Sequence, residues 1–319
     1  MRLWDDEIEA ARPQLREESA TFVASFPQGD DSPGISVEDR VASQRAARIG
    51  AGEPSPRAVD RTIAGPGGPL RLRTFVPEAG GTPDGVYLHF HGGGWIVGDP
   101  EMMDGLSTII ADACNVAVVS VDYRLAPEHP YPAGPDDCEA AAAWLLEHAE
   151  AEYGASKLLV GGESAGGHLS AVTLIRARDR LAAIDRFVGA NLVFGVYDVS
   201  DTPSQRGVGI PPGADILTVE GSEFFTELFT PGMSVEQRRD PDLSPLYADL
   251  AGLPPALFTV GANDHLVDDT LFLASRWARA GNETELLVYP DTPHGCIGLP
   301  TVGAHWFPRL LDFLKRCLA

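Results

Sequence analysis

The sequence contains almost no lysine. Of its 24 basic residues only Lys157 and Lys315 are lysine, whereas 46 residues are aspartate or glutamate, so the formal net charge is −22. A surface this acidic repels phosphate backbones, and we therefore expect no nucleic-acid partner. Two explanations of the bias stay open at this stage: adaptation to high salt, and a GC-rich genome that favours arginine codons over lysine codons.

Paired cysteines and long apolar runs are also lacking. The four cysteines, Cys114, Cys138, Cys296 and Cys317, lie far apart and form neither a CxxC pair nor a Cys/His cluster, which predicts reduced thiols and no metal site. No stretch approaches the roughly 18 apolar residues of a membrane span. The N-terminal MRLWDDEIEAARPQ carries acids where a signal peptide needs bases and an apolar core. We expect a cytoplasmic protein without a membrane span.

From residue 70 onward, strand-like and helix-like segments alternate. The predicted strands cover residues 70–76, 85–91, 116–123, 157–162, 187–194, 255–261 and 283–290, and the predicted helices cover 135–150, a run from Ala165, 269–280, and a last run from about Pro308. Segment 116–123 (VAVVSVDY) is almost continuously apolar, as a strand covered on both faces should be. This alternation predicts an α/β fold with a mostly parallel sheet flanked by helices.

Two regions fall outside the alternation. Residues 1–50 are polar and helix-prone, and the Pro/Gly-rich segment 50–69 is typical of a linker that leads into short strands. Residues 197–245 interrupt the later part and contain EFFTELF, in which Phe224 and Phe225 share one helical face with Leu228 and Phe229. They would either cover one end of the sheet or form an ordinary surface helix. We predict an N-terminal cap segment (1–55), a cap insertion (197–245), and a core in two parts, 56–196 and 246–319.

The segment GGESAGG contains the G-x-S-x-G pattern, directly after a predicted strand and before a predicted helix. That context predicts a sharp turn presenting Ser164 as a nucleophile at a helix N-terminus. A serine hydroxyl needs a base, and the base needs an orienting acid. His294 follows the strand 283–290 in a Pro-rich loop and is the predicted base. Asp264 follows the strand 255–261 and is the predicted acid, with Asp268 as the alternative.

A developing oxyanion needs backbone N–H donors. The segment HGGGW (91–95) follows the strand 85–91, and its glycines let the main chain approach a substrate closely. Ala165, the residue after the serine, would add another N–H group. A phosphate-binding loop is the competing interpretation, but the sequence has no Walker lysine and no GxGxxG before a helix.

Long motifs together resemble the hormone-sensitive-lipase-like esterases, the bacterial family IV group. They are HFHGGGWIVGD, VDYRLAPEHPYPA, GGESAGGHLSA, SPLYADLAGLPPALFTVGANDHLVDD and YPDTPHG, and the resemblance covers roughly residues 60–319. It implies an α/β-hydrolase fold with an eight-stranded sheet and a helical cap. It also implies hydrolysis of short- to medium-chain carboxylic esters through an acyl-enzyme, without a cofactor.

The resemblance also assigns residues. It makes Ser164, Asp264 and His294 the catalytic triad and gives the oxyanion N–H groups to Gly93, Gly94 and Ala165. A buried structural network of Asp122, Arg124 and Glu128 is implied behind the site. We further expect Trp95 and the cap residues Phe224 and Phe225 to contact substrate.

Several points stay open. Glu163 stands where many members have Asp or Thr, and Cys296 lies two residues after the base, where its thiol would alter the pocket or make it sensitive to oxidation. Amides, formamides and acetylated sugars are alternative substrates on the same scaffold. A non-catalytic receptor of the same fold is a further alternative, although it would be expected to lack the base. The sequence does not decide whether the chain forms a homodimer.

Overall fold

An eight-stranded sheet forms the centre of the computed structural model, which describes residues 3–26, 34–47 and 53–319. The strands are β1 (Val59–Gly65), β2 (Gly68–Phe75), β3 (Gly85–Phe90), β4 (Val116–Val121), β5 (Leu158–Glu163), β6 (Phe187–Val193), β7 (Ala256–Gly261) and β8 (Thr284–Tyr289). Their spatial order is β1-β2-β4-β3-β5-β6-β7-β8. β2 runs antiparallel to both neighbours and all other pairs are parallel. The predicted eight-stranded, mostly parallel sheet is confirmed.

Helices cover both faces of this sheet. They are α1 (Asp6–Ser25), α2 (Val37–Ala46), α3 (Asp104–Cys114), α4 (Ala133–Tyr153), α5 (Ala165–Asp179), α6 (Val219–Phe229), α7 (Val235–Arg238), α8 (Val267–Arg279) and α9 (Pro300–Leu318). Within the ranges described, no helix is both long and apolar enough to cross a bilayer. All four cysteines have free thiols.

Alternation along the buried strands divides the core into two layers. In β3, Val86, Leu88 and Phe90 pack into a cluster with α4, α5 and α8, whereas Tyr87 between them joins a second cluster with α1, α3 and α9. Successive strand side chains point to opposite faces, so a strand buried on both sides is mostly apolar. Every residue of β3, β4, β5 and β7 is buried.

Three elements differ from the sequence prediction. The predicted linker 50–69 contains β1, which forms a hairpin with β2 by pairing Gly65 with Gly68; residues 50–52 lie outside the described part. Helix α3 was not predicted. Helix α9 begins at Pro300, eight residues before the expected Pro308, because Pro300 takes the first helical position, which suits a residue without an N–H group. Pro308 lies inside the helix, whose apolar face packs on the sheet.

The insertion, residues 197–245, lies between β6 and β7 and contains α6 and α7. Its start is fixed by the fully buried Asp269 of α8, which accepts hydrogen bonds from the backbone N–H groups of Tyr197 and Asp198 at 2.7 and 2.9 Å. The same carboxylate accepts from Thr202 and Gln205. The buried carboxylate of Asp269 thus binds the first residues of the insertion to the core.

Helix α1 lies against the loop that follows β8, residues 290–299. Asp291 of this loop accepts hydrogen bonds from Arg12 at 2.6 Å and Arg16 at 2.8 Å. Glu18 accepts from the backbone and hydroxyl groups of Thr301 at 3.0 and 2.7 Å, just after the loop. The N-terminal helix is thus fastened at both sides of this loop by charged and polar contacts.

Candidate active site

Ser164 occupies the turn between β5 and α5 with φ 56° and ψ −118°. A non-glycine residue with positive φ is strained, and such strain collects at functional sites. The Ser164 N–H donates to the carbonyl of Val193 in β6 at 2.9 Å, which holds the turn in place. The side chain therefore sits at the N-terminus of a 15-residue helix, where the helix dipole favours negative charge.

Close backbone contact explains the glycines around this serine. A Cβ atom on Gly166 would lie 1.9 Å from the carbonyl oxygen of Phe90, and one on Gly162 would lie 2.2 Å from the same oxygen. Neither distance is compatible with any side chain. The glycines let α5 and the end of β5 approach the end of β3, where the HGGGW segment begins.

The structure brings the three predicted triad residues together. His294 Nε2 lies 3.0 Å from Ser164 Oγ, and His294 Nδ1 lies 2.9 Å from Asp264 Oδ2. Asp264 is fully buried in the loop of residues 262–266, the acid loop, and His294 lies in the loop of residues 290–299, the base loop. Asp268, the alternative acid, instead accepts a hydrogen bond from the backbone N–H of Ser204 at 2.9 Å.

The Asp264 carboxylate fixes the tautomer of His294. It accepts a hydrogen bond from Nδ1–H, so that Nε2 has a free lone pair toward the serine hydroxyl. Burial disfavours the charged imidazolium, but the Asp264 carboxylate outweighs burial, so the pKa of His294 lies above its ordinary value. This arrangement suits a base that takes a proton and then holds it as an imidazolium.

The oxyanion loop, residues 91–99, turns sharply at two glycines. Gly93 and Gly94 have φ of 118° and 57°, and the carbonyl of Gly93 accepts from the N–H groups of Ile96 and Val97. Among the residues described, none accepts a hydrogen bond from the N–H groups of Gly93, Gly94 or Ala165. Three backbone donors close to Ser164 in the chain and fold are thus available to a ligand.

Trp95 has a packing role instead of the substrate contact predicted for it. Its side chain is only 3% exposed, stacks on Phe229 of α6 with ring centroids 4.3 Å apart, and donates from Nε1 to His168 Nδ1 at 3.0 Å. His168 Nε2 in turn donates to the carbonyl of Leu243 at 2.7 Å. Trp95 therefore connects the oxyanion loop to the insertion.

The two predicted cap phenylalanines occupy different positions. The ring of Phe225 lies against the oxyanion loop, since a Cβ atom on Gly94 would be 2.7 Å from its Cγ. The ring of Phe224 faces α2, with the guanidinium of Arg40 3.9 Å from its centroid. Phe225 is thus close to the reacting groups, whereas Phe224 joins α2 to α6.

The predicted network of Asp122, Arg124 and Glu128 does not form. Each of the three pairs with a different residue: Asp122 with Arg71, Arg124 with Asp137, and Glu128 with Arg45. The side chain of Glu128 is 55% exposed. The resemblance implied a shared buried network, but the loop after β4 turns the three residues toward separate partners.

The two open positions beside the triad are both buried. Glu163 Oε2 lies 3.1 Å from His89 Nε2, and His89 Nδ1 lies 2.9 Å from the hydroxyl of Ser120. Glu163 therefore anchors the turn beneath the serine. Cys296 is fully buried, and burial raises the pKa of its thiol. A buried, protonated thiol is inert, which argues against the expected sensitivity to oxidation.

Asp215 is a residue of the site that the sequence did not indicate. It lies in the insertion, yet its carboxylate contacts the backbone of both the acid loop and the base loop. Its partners are 50 and 79 residues away in the chain. No local pattern marks such a contact, since only the folded insertion brings these segments together.

Known proteins match this chain in sequence over most of its length. A family model described as the alpha/beta hydrolase fold matches residues 87–298. The carboxylic ester hydrolase LipN of Mycobacterium tuberculosis is 36% identical over 284 residues, which cover 85% of this chain and 74% of that protein. Carboxylesterase NlhH of the same species is 36% identical over 276 residues, covering 83% and 84% respectively.

Solved structures of esterases also superimpose on this chain. A hyperthermophilic esterase from the archaeon Pyrobaculum calidifontis superimposes with a TM-score of 0.83 at 30% identity, covering 96% of this chain and 99% of that chain. These relatives confirm the predicted resemblance to hormone-sensitive-lipase-like esterases. The chain therefore belongs to the α/β-hydrolase fold family as a carboxylic ester hydrolase.

Proposed function

We propose that the enzyme hydrolyses short- to medium-chain carboxylic esters through an acyl-enzyme formed on Ser164. The observation that carries this proposal is the continuous hydrogen-bonded chain from Ser164 Oγ through His294 to Asp264, with donor–acceptor distances of 3.0 and 2.9 Å. A serine in such a chain can lose its proton as it attacks a carbonyl carbon. The hydrogen bond between Ser164 Oγ and His294 Nε2 and the strained turn at Ser164 support proton transfer at the start of α5.

In the first half of the reaction, His294 Nε2 takes the hydroxyl proton as Ser164 Oγ bonds to the ester carbonyl carbon. The N–H groups of Gly93, Gly94 and Ala165 donate to the oxyanion. His294 then gives the proton to the leaving alcohol, and the C–O bond to the alcohol breaks. In the second half His294 takes a proton from water, which attacks the acyl-enzyme, and returns it to Ser164 as the acid leaves.

Apolar side chains near the oxyanion loop and the base loop support an acyl group of limited length. Phe225 lies against Gly94 on one side. On the other, a Cβ atom on Gly295 would be 3.4 Å from the ring of Phe22 and 3.7 Å from Ile216. Phe22 belongs to α1 and Ile216 belongs to the insertion, so both predicted cap segments reach the base loop. The net charge of −22 favours neutral esters over anionic ones.

The decisive experiment is a series of p-nitrophenyl esters from acetate to laurate, hydrolysed by the wild type and by Ser164→Ala. We expect kcat/KM to be greatest for the shorter chains and the variant to lose roughly 10³-fold or more. A variant that retains the wild-type rate would rule out Ser164 as the nucleophile. Rates that rise steadily to laurate would rule out the limited acyl site.

A parallel panel of anilides, formamides and acetylated sugars tests the alternative substrates. Faster turnover of any of these than of the esters would replace the substrate class but keep the triad. We also expect the enzyme in the cytoplasmic fraction of its cells, and sedimentation measures whether it is a homodimer.

A further inference from the structure

A single carboxylate from the insertion contacts both the acid loop and the base loop. Asp215 Oδ1 accepts a hydrogen bond from the backbone N–H of His294 at 2.7 Å. Its Oδ2 accepts from the backbone N–H of His265 at 2.9 Å and lies 2.8 Å from Nδ1 of the same residue. Oδ1 also accepts from the N–H of Ile216. Three of these partners are backbone N–H groups, which can only donate, so the two oxygens of Asp215 act as acceptors for them.

The contacts of Asp215 lie directly beside the acid and the base. His294 is the base itself, and His265 directly follows the acid Asp264. The distance between the acid and base loops sets the Asp264–His294 hydrogen bond, and both loops are held by the two oxygens of one side chain. The carboxylate of Asp215 is fully buried, so water does not compete for these bonds.

The charge of Asp215 also acts on the base. It favours the imidazolium form of His294, adding to the stronger effect of Asp264 against the opposing effect of burial. Three elements supply the titratable and charged groups around Asp215 and the base loop. They are Asp264 and His265 of the acid loop, His294, Cys296 and Asp291 of the base loop, and Arg12 and Arg16 of α1. The two arginines are paired with Asp291, which leaves Asp215 as the second negative charge acting on the imidazole.

We infer that Asp215 is a positioning residue of the active site: its carboxylate holds the acid and base loops in register and makes the insertion part of the catalytic apparatus. The inference rests on the proposed triad. During the reaction His294 becomes an imidazolium, and a preorganised negative charge beside it stabilises that state. His265 orients the carboxylate through its ring nitrogen.

Asp215→Asn tests this inference because it removes the charge while keeping the size of the side chain. The amide NH₂ would face the N–H of His265, so the two loops lose their common acceptor. We expect kcat to fall by about tenfold or more, since small displacements of reacting groups have large effects on rate, with a smaller change in KM. We also expect the acid limb of the kcat/KM profile to move to lower pH by at least about half a unit.

A shift in the midpoint of the acid limb distinguishes a positioning role of Asp215 from a loss of protein stability. It is a property of each active molecule, so a smaller folded fraction lowers the amplitude and leaves the midpoint in place. Asp269→Asn is the matched control, because Asp269 also binds the insertion through buried hydrogen bonds but contacts no triad residue. Burial raises the pKa of Asp269 to about 7, so this control also shows whether the limb belongs to Asp269.

The outcomes are distinct. A shifted limb and lower kcat in Asp215→Asn, with an unshifted limb in Asp269→Asn, support the inference. A wild-type limb and kcat in Asp215→Asn overturn it, as does an equal shift in the control. If Asp215→Asn does not fold, Asp215→Glu keeps a charge at the site, and a limb at the wild-type pH with reduced kcat is then expected; an unchanged kcat overturns the inference. Ser164→Ala, run in parallel, reports separately on the triad.

Discussion

Replacing Gly166 by alanine would push α5 away from β3. The added Cβ atom would lie 1.9 Å from the carbonyl oxygen of Phe90, 2.7 Å from its carbon, and 2.9 Å from the oxygen of His91. Carbon–oxygen contacts are normally about 3.3–3.6 Å, so the backbones must separate by more than about 1 Å. All three atoms belong to the main chain at the junction of β3 and the oxyanion loop.

The magnitude follows from this displacement. Overpacking of this kind costs about 1–3 kcal/mol of the free energy of unfolding. For a chain of 319 residues, an unfolding entropy of about 2.1 cal/mol/K per residue converts this loss into a fall in Tm of roughly 1.5–5 °C. A shift of about 1 Å between Ser164 and the oxyanion donors should lower kcat roughly 10²-fold.

Scanning calorimetry and p-nitrophenyl acetate hydrolysis measure the two effects on one sample. Gly105→Ala in α3 is the control, since a Cβ atom there has no neighbour within 4 Å. Alanine is the better helix former by up to about 1 kcal/mol, so this variant should keep its activity and keep or raise its Tm. Wild-type Tm and kcat in Gly166→Ala would refute the close-approach explanation of the glycines.

Three further predictions concern the triad and its surroundings. The acid limb of kcat/KM should have its midpoint above about 6.5, the ordinary histidine value, because His294 must be neutral to accept a proton and its pKa is raised; a midpoint below 6 would contradict this. Asp264→Asn should lower kcat by roughly 10³–10⁴-fold, measured with p-nitrophenyl acetate, and a loss below tenfold would refute its role as the orienting acid. Iodoacetamide should leave the rate of the native enzyme unchanged because Cys296 is fully buried; inactivation that is absent in Cys296→Ser would show that the thiol is accessible.

The parts of the fold that local sequence governs were predictable. The parallel strands are mostly apolar segments of six or seven residues. The glycines around Ser164 mark a sharp turn in the sequence, although the backbone that they approach belongs to β3. The triad residues follow the strand ends in a fixed order, and the acid and base loops place Asp264 and His294 next to the serine. Each motif can be recognised from a few neighbouring residues, although the contacts between the motifs form only in the fold.

The remainder depends on contacts between distant segments. Trp95 looked like a pocket residue beside the glycines, but Phe229, far along the chain, covers it. Asp122 pairs with Arg71 of β2 and Glu128 pairs with Arg45 of α2. Neither partner is evident from the motif itself. The start of α9 was misplaced because two prolines could each begin the helix, and packing of the extra turns decided between them.

The base loop has consequences for how relatives of this enzyme can diverge. Helix α1 binds the base loop through Asp291, and the insertion binds it through the N–H of His294. Two segments outside the core therefore contact one short stretch of chain. A change in either segment is transmitted to the base. Chimeras that exchange substrate-binding segments between relatives should therefore keep activity when residues 290–299 travel with their own α1 and insertion. Exchange of either segment alone should separate the base from the contacts that orient it.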